Sequence, residues 1–338
     1  MNLKTPIARI STGLAEHAAV RAWCEATGGA PPVAVDLLRK LSLHNAAVHR
    51  LTFAGAHEPA VFAKHAPHSV LRVERTVYEE VLPHLPVTAP RYRGCFEPGD
   101  GLLWLFIEDV GNVCLSPVDP DHRALASRWL GVLHGSGAAL PRAAGLPDGG
   151  PGRYLAHLRA GRERIRARLG NRALVANDRA ILGRVLEMHD ALEARWPTLE
   201  RACEEMPSTL VHGDFQPKNL RLHRSEQGMV LCPIDWETAG WGVPAADLMA
   251  LGSPRAETRL DLQAYLAVVR ERWPAFDAGT FRKLSVLGQL FRAMAAVDWD
   301  SEGLRFEDAK TLMRRIGAMR HYLAWVAQAL EAGAEWLG

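Results

Sequence analysis

The chain contains no apolar run approaching the ~20 residues that a bilayer span needs, which argues against a helical membrane protein. It carries almost no net charge. Its 40 Lys and Arg against 38 Asp and Glu leave +2, so no protein-wide field favours nucleic acid or a membrane surface as a partner. Cysteine is scarce and scattered: Cys24, Cys95, Cys114, Cys203 and Cys232 include no Cys-x-x-Cys spacing. That argues against a disulfide framework or a zinc site and fits a reducing, cytoplasmic setting. Met1 to Leu14 has no apolar core of signal-peptide length. Internal repeats and low-complexity segments are missing too. What remains is ordinary globular usage, 48% hydrophobic and 23% charged over 338 residues, enough for two lobes.

Against that plain background one stretch stands out. Val211-His212-Gly213-Asp214-Phe215-Gln216-Pro217-Lys218-Asn219 runs into an arm that ends in Ile234-Asp235-Trp236-Glu237. Leu220 to His223 alternates as a short strand, Ser225-Glu226-Gln227-Gly228 is turn chemistry, and Met229 to Ile234 returns. Pro233 cannot donate to a ladder, so it belongs at a sheet edge. Antiparallel pairing sets Asn219 and Asp235 side by side at the open end, with Asp214 one loop away. Two carboxylates and an amide oxygen so placed form a hard-oxygen set suited to Mg²⁺, which keeps its waters and bridges phosphates.

Asp-x-x-x-x-Asn, a hairpin and a second Asp form the kinase catalytic arrangement. With His-Gly-Asp, Ile-Asp-Trp-Glu and the later Gly242-Val243-Pro244-Ala245-Ala246-Asp247-Leu248, the chain resembles the aminoglycoside phosphotransferase and choline kinase-like family of small-molecule kinases. The resemblance covers about residues 33 to 330 and is most specific from His212 to Leu248. It implies an α+β, bilobal, protein kinase-like fold. An antiparallel-sheet N-lobe with one helix would span 33–111, and a helical C-lobe 112–338, after a helical leader over 1–32.

Read in order, Val33–Leu41, Val48–Phe53, Pro59–Lys64 and Leu102–Ile107 are strands, and Ser69–Leu82 is a helix stopped by Pro83. By resemblance, Lys64 grips phosphate and Glu74 holds it in place; Glu79 and Glu80 are rivals on another face of the helix. The backbone of Phe106, Ile107 and Glu108 would meet the nucleotide base. Ser42-Leu43-His44-Asn45-Ala46-Ala47 stands where a glycine-rich phosphate loop belongs, yet has no glycine, which leaves Ser42 and Asn45 as side-chain contacts. Helices follow over Asp119–His134, Arg153–Leu169, Asn177–Met206, Pro244–Leu251, Glu257–Arg272, Gly279–Asp298 and Phe306–Ala332. His134 reads as a packed histidine. Asp298-Trp299-Asp300-Ser301-Glu302 would suit a polyamine, although its ordinary reading is a solvated loop.

The chemistry expected is transfer of the γ-phosphoryl group of ATP or GTP to a hydroxyl of a small molecule, aminoglycoside-like or an amino alcohol or sugar. Asp214 is the base, Asn219 and Asp235 hold Mg²⁺, and His212 and Asp247 brace the loop. Lys218 is open between γ-phosphate and solvent, and Glu237 between metal-bound water and a bystander role. Two other classes stay in view. The glycine-free loop would suit an inactive kinase fold that only binds. A metal-dependent hydrolase built on His212, Asp214, His223 and Asp235 lacks any His-x-His or His-Glu-x-x-His spacing.

Overall fold

The computed structural model describes residues 6–41, 46–55, 59–143, 145–226, 228–252 and 255–337. The chain opens with a short strand, β1 (Ala8–Ile10), then helix α1 (Ala18–Thr27), which ends at Gly28 in the left-handed region that glycine adopts without strain. Five more strands and a helix follow: β2 (Ala34–Leu41), β3 (Ala46–Thr52), β4 (Val61–Pro67), α2 (His68–Thr76), β5 (Tyr92–Phe96) and β6 (Leu102–Glu108). They make one six-stranded antiparallel sheet in the order β1-β2-β3-β4-β6-β5. Residues 6–32 are therefore built into the sheet assembly rather than preceding it as a leader. β1 pairs with β2, and α1 buries Trp23, Ala19 and Val20 against Val35, Leu51, Val61, Ala63 and Phe106. The helix that Pro83 was expected to stop does not stay α-helical to that point. It passes from α2 into a π turn over Val77–Val81 and a 3-10 turn over Leu82–His84. Pro83 sits early in that last turn, where no amide donor is needed.

The chain continues through α3 (Pro120–Gly137), α4 (Pro151–Arg168), α5 (Ala176–Ala194) and α6 (Trp196–Glu204). The single helix expected over 177–206 is two, because Pro197 starts a new one. Strand β7 (Thr209–Val211) pairs with β10 (Gly240–Gly242), and between them β8 (Leu220–Ser225) and β9 (Gly228–Pro233) form a hairpin. The segment before α3 also pairs here, since the Leu115 amide donates to the Leu220 carbonyl at 2.9 Å and the Leu222 amide to the Val113 carbonyl at 2.8 Å. That segment lies along β8, which leaves Pro233 on the outer strand β9 as expected. Pro244–Leu251 yields only a 3-10 turn at Pro244–Ala246. Then come α7 (Leu262–Val269), α8 (Ala278–Ser301), α9 (Ala309–Ala332) and α10 (Ala334–Leu337).

The chain clusters into two compact units that are interleaved in sequence. One comprises Met1–Trp129, Pro141–Pro147 and Phe215–Ala239; the other comprises Leu130–Leu140, Asp148–Asp214 and Gly240–Gly338. The boundary expected near residue 111 thus falls inside the first unit. The sheet and the β8–β9 hairpin belong to the first unit. The second is helical, with a core in which Leu182, Val185, Val297, Leu312 and Ile316 meet. Among the described residues no helix is long and apolar enough to cross a membrane.

Candidate active site

The first unit presents a lysine caught between carboxylates. Lys64 lies on β4, opposite Val48 on β3 and Leu105 on β6. β4 runs straight into α2, so Glu74 returns over the strand and is wholly buried. The Lys64 ammonium donates to both Glu74 oxygens, at 2.7 and 2.8 Å, and to Oδ1 of Asp235 at 2.9 Å. Burial alone would pull the lysine pKa down, but Asp235 and Glu74 beside it push it up, so the group stays charged. Glu79 and Glu80 are exposed, and Glu79 pairs with Arg75 instead.

The hairpin brings Asp235 to this point. The Ile234 amide donates to the Asn219 carbonyl at 2.9 Å, one step beyond the Leu220–Pro233 pair. Asn219 and Asp235 therefore flank the open end of the arm, and Asn219 is buried. Asp235 has φ of 71°, the only non-glycine positive φ among the described residues. Such a conformation costs on the order of 1 kcal/mol or more and persists only where the surroundings impose it. Here Trp236 pins the next residue. It is wholly buried, donates from Nε1 to the Pro233 carbonyl at 3.3 Å, and meets Trp129 at 6.1 Å between ring centres.

The remaining residues expected in this unit separate into groups. Lys218 is exposed in the 3-10 turn Pro217–Asn219, and Glu237 is exposed in the turn Trp236–Thr238. Ser42 and Asn45 lie outside the described residues. Phe106 and Ile107 sit on β6 between β4 and β5, so two ladders occupy their backbone. The Glu108 amide is also taken, by the Arg91 carbonyl at 2.9 Å, and the Asp109 amide by Ala60 at 2.8 Å.

The second unit carries Asp214 on a braced loop. β7 ends at Val211, and Gly213 turns with φ of 77°. Asp247 accepts from the His212 amide through Oδ2 and from the Gly213 amide through Oδ1, both at 2.8 Å. The Asp214 amide donates to Nδ1 of His212 at 3.3 Å. Behind Asp247, His134 approaches with Nε2 at 3.3 Å and holds the Tyr265 hydroxyl with Nδ1 at 2.9 Å. His212, His134 and Asp247 are all fully buried. A buried carboxylate that accepts this many hydrogen bonds is stiff, and it fixes the Asp214 backbone. Asp247 is placed by a close approach: a Cβ on Gly288 of α8 would collide with the Ala245 carbonyl, so only glycine lets the helix sit on this turn.

Sequence reasoning foresaw His134 as packed but not its partners. Tyr265 left no signal, being one aromatic in an apolar helix. Arg292 was also missed; its Nη2 lies 3.6 Å from Oδ1 of Asp214.

A buried lysine–glutamate pair between strand and helix, an aspartate of positive φ at a hairpin mouth and an aspartate on a braced loop all sit on an α+β, protein kinase-like fold. The chain belongs to the phosphotransferase enzyme family (APH), whose sequence profile matches residues 42–297. It is thus an enzyme, a small-molecule phosphotransferase. Similar solved structures include an APH(2″) enzyme with GDP and kanamycin (16% identity, TM-score 0.62, 90% of this chain and 97% of that one). A spectinomycin phosphotransferase with ADP and spectinomycin gives 10% identity and TM-score 0.57 over 92% and 97%. Choline kinase from Cryptosporidium parvum Iowa II gives 13% identity and TM-score 0.57 over 90% and 93%. At these identities the likeness establishes the fold. No curated protein matches the chain.

Proposed function

We propose that the protein transfers the γ-phosphoryl group of ATP or GTP to a hydroxyl of a small molecule in a reducing cytoplasm. The nucleotide falls to the residues of the first unit and the acceptor to those of the second. Lys64, held by Glu74, neutralises phosphate charge without paying for its own ordering at the moment of binding. Asn219 and Asp235 offer one amide oxygen and one carboxylate, a hard donor pair that fits Mg²⁺ when the phosphates complete its shell. Bound there, the metal would supply charge neutralisation on the phosphates.

Asp214 orients the acceptor hydroxyl and receives its proton. The hydroxyl oxygen attacks the γ-phosphorus, the bond to the bridging oxygen breaks, and that electron pair leaves with the nucleoside diphosphate. His212 and Asp247 take no proton; they hold the loop so that the Asp214 carboxylate points the same way at each turnover. The bonds from Lys64 to both Glu74 and Asp235 carry this reading. They join strand, helix and hairpin in one charged cluster, which a mere binding module has no need to keep. An Asp214→Asn protein should lose ~1000-fold or more in kcat while binding nucleotide normally by calorimetry, in line with removal of a positioned base. Full turnover in that variant would contradict the proposal.

A further inference from the structure

We infer that the acceptor is a small hydroxylated anion, bound through Arg292 beside Asp214, rather than a polycation; the inference rests on the phosphotransfer reading above. Arg292 lies on α8 within the second unit, and its side chain is 16% exposed. Its Nε and Nη1 are buried and meet no hydrogen-bond acceptor among the described residues. Its Nη2 stands 3.6 Å from Asp214 Oδ1, near enough for attraction but too far for a hydrogen bond. The guanidinium is held in place by Trp299, one face of which it covers at 5.1 Å. A planar, fixed, under-satisfied guanidinium is the group that recognises a carboxylate or a phosphate with two parallel hydrogen bonds.

The acidic run that would have received a polyamine is already paired within the protein. It is not a loop but the end of α8 and the turn that follows. Asp298 pairs with His157 at 2.8 Å and also with Arg164. Asp300 pairs with Arg315 and accepts from the Tyr322 hydroxyl at 2.6 Å. Glu302 faces Arg164 at 3.6 Å. The charge that faces Asp214 is therefore positive. The short gap between Asp214 and Arg292 also limits the acceptor, because its reacting hydroxyl must lie roughly one to three carbons from its anionic group to reach both. When that group engages Arg292, it draws the guanidinium from Asp214 and leaves the carboxylate better able to take the hydroxyl proton.

The test uses the full-length protein with Mg²⁺ and ATP or GTP, following nucleoside diphosphate release and product mass. Glycerate and gluconate form the carboxylate arm; glycerol 3-phosphate and glucose 6-phosphate form the phosphate arm. Glycerol and glucose are neutral controls, and kanamycin and choline are the cations. Expected is transfer to at least one anionic acceptor with kcat/KM about 10- to 100-fold above its neutral counterpart, the range of one or two charge-assisted hydrogen bonds. Arg292→Gln should erase that preference chiefly through KM, and Arg292→Lys should restore part of it; circular dichroism checks that both fold. Transfer to kanamycin, choline or the neutral compounds alone overturns this inference and leaves the phosphotransfer reading standing. So does an Arg292→Gln protein that keeps the anionic preference, or nucleotide binding without transfer to any anionic compound. Failure to bind nucleotide at all, with no transfer, overturns both.

Discussion

Lys64 shows how one charged residue is made tolerable in a protein interior. Its ammonium is only 12% exposed and Glu74 is fully enclosed, so neither charge could stand there alone. Lys64→Met should therefore cost about 3 kcal/mol, because it strands a buried carboxylate. The loss should depend on pH. Burial, the largest influence on Glu74, and the nearby Asp235 charge already raise its pKa against the opposing pull of Lys64. Without Lys64 it rises further. A group whose folded pKa is raised contributes stability below its unfolded value and loses it as pH climbs through the folded one. Denaturation midpoints of Lys64→Met should thus come closest to wild type below about pH 4.5 and fall away above it; a pH-independent gap would contradict this. Histidines give the opposite sign. Burial lowers His189 to about 4, and both ring nitrogens lack hydrogen-bond partners among the described residues. Its folded pKa lies below its unfolded one, so stability is complete above the ordinary histidine value of 6.5 and is lost as pH falls toward 4. His189→Leu should flatten that acid decline in chemical denaturation between about pH 7 and about pH 4.5.

The β8–β9 hairpin was legible because its alternation, its turn residues and its proline all agree. Its register was legible for the same reason, and register is what sets Asn219 beside Asp235. The left-handed backbone at Asp235 was not, since aspartate tolerates that region without requiring it. Helix α3 followed from apolar periodicity, and α4, α8 and α9 lie where helices were expected, whereas the break before α6 turns on Pro197. β1 and β5 were missed because short, partly exposed strands lack a strong pattern. Gly288 carries a prediction of its own: Gly288→Ala should destabilise the protein by about 2 kcal/mol through overpacking. It should also lower kcat by shifting the turn that bears Asp247. Thermal unfolding and steady-state kinetics together would check it, and an unchanged kcat would detach Asp247 from catalysis.

Across the chain, the two units interleave in sequence, so neither corresponds to a segment that could be cut out at one boundary. Ligand binding should register on the protein as a unit of stability. ATP or GTP with Mg²⁺ at a hundredfold excess over Kd should stabilise it by about 2.7 kcal/mol, and EDTA should remove most of that gain in a thermal-shift assay. A shift that ignores EDTA would count against metal binding at Asn219 and Asp235. The linear chain pointed to the reaction class through the motifs that carry Asp214, Asn219, Asp235 and Asp247, because within the first unit the hairpin sets Asn219 beside Asp235 and within the second a tight turn sets Asp247 against the loop before Asp214. It could not fix which charges cancel. Lys64 meets Asp235 at a sequence separation of 171, and Asp298 meets His157 at a separation of 141. Whether an acidic run attracts a cation, or an arginine awaits an anion, depends on partners brought in by packing, and Coulomb attraction follows distance in space rather than distance along the chain.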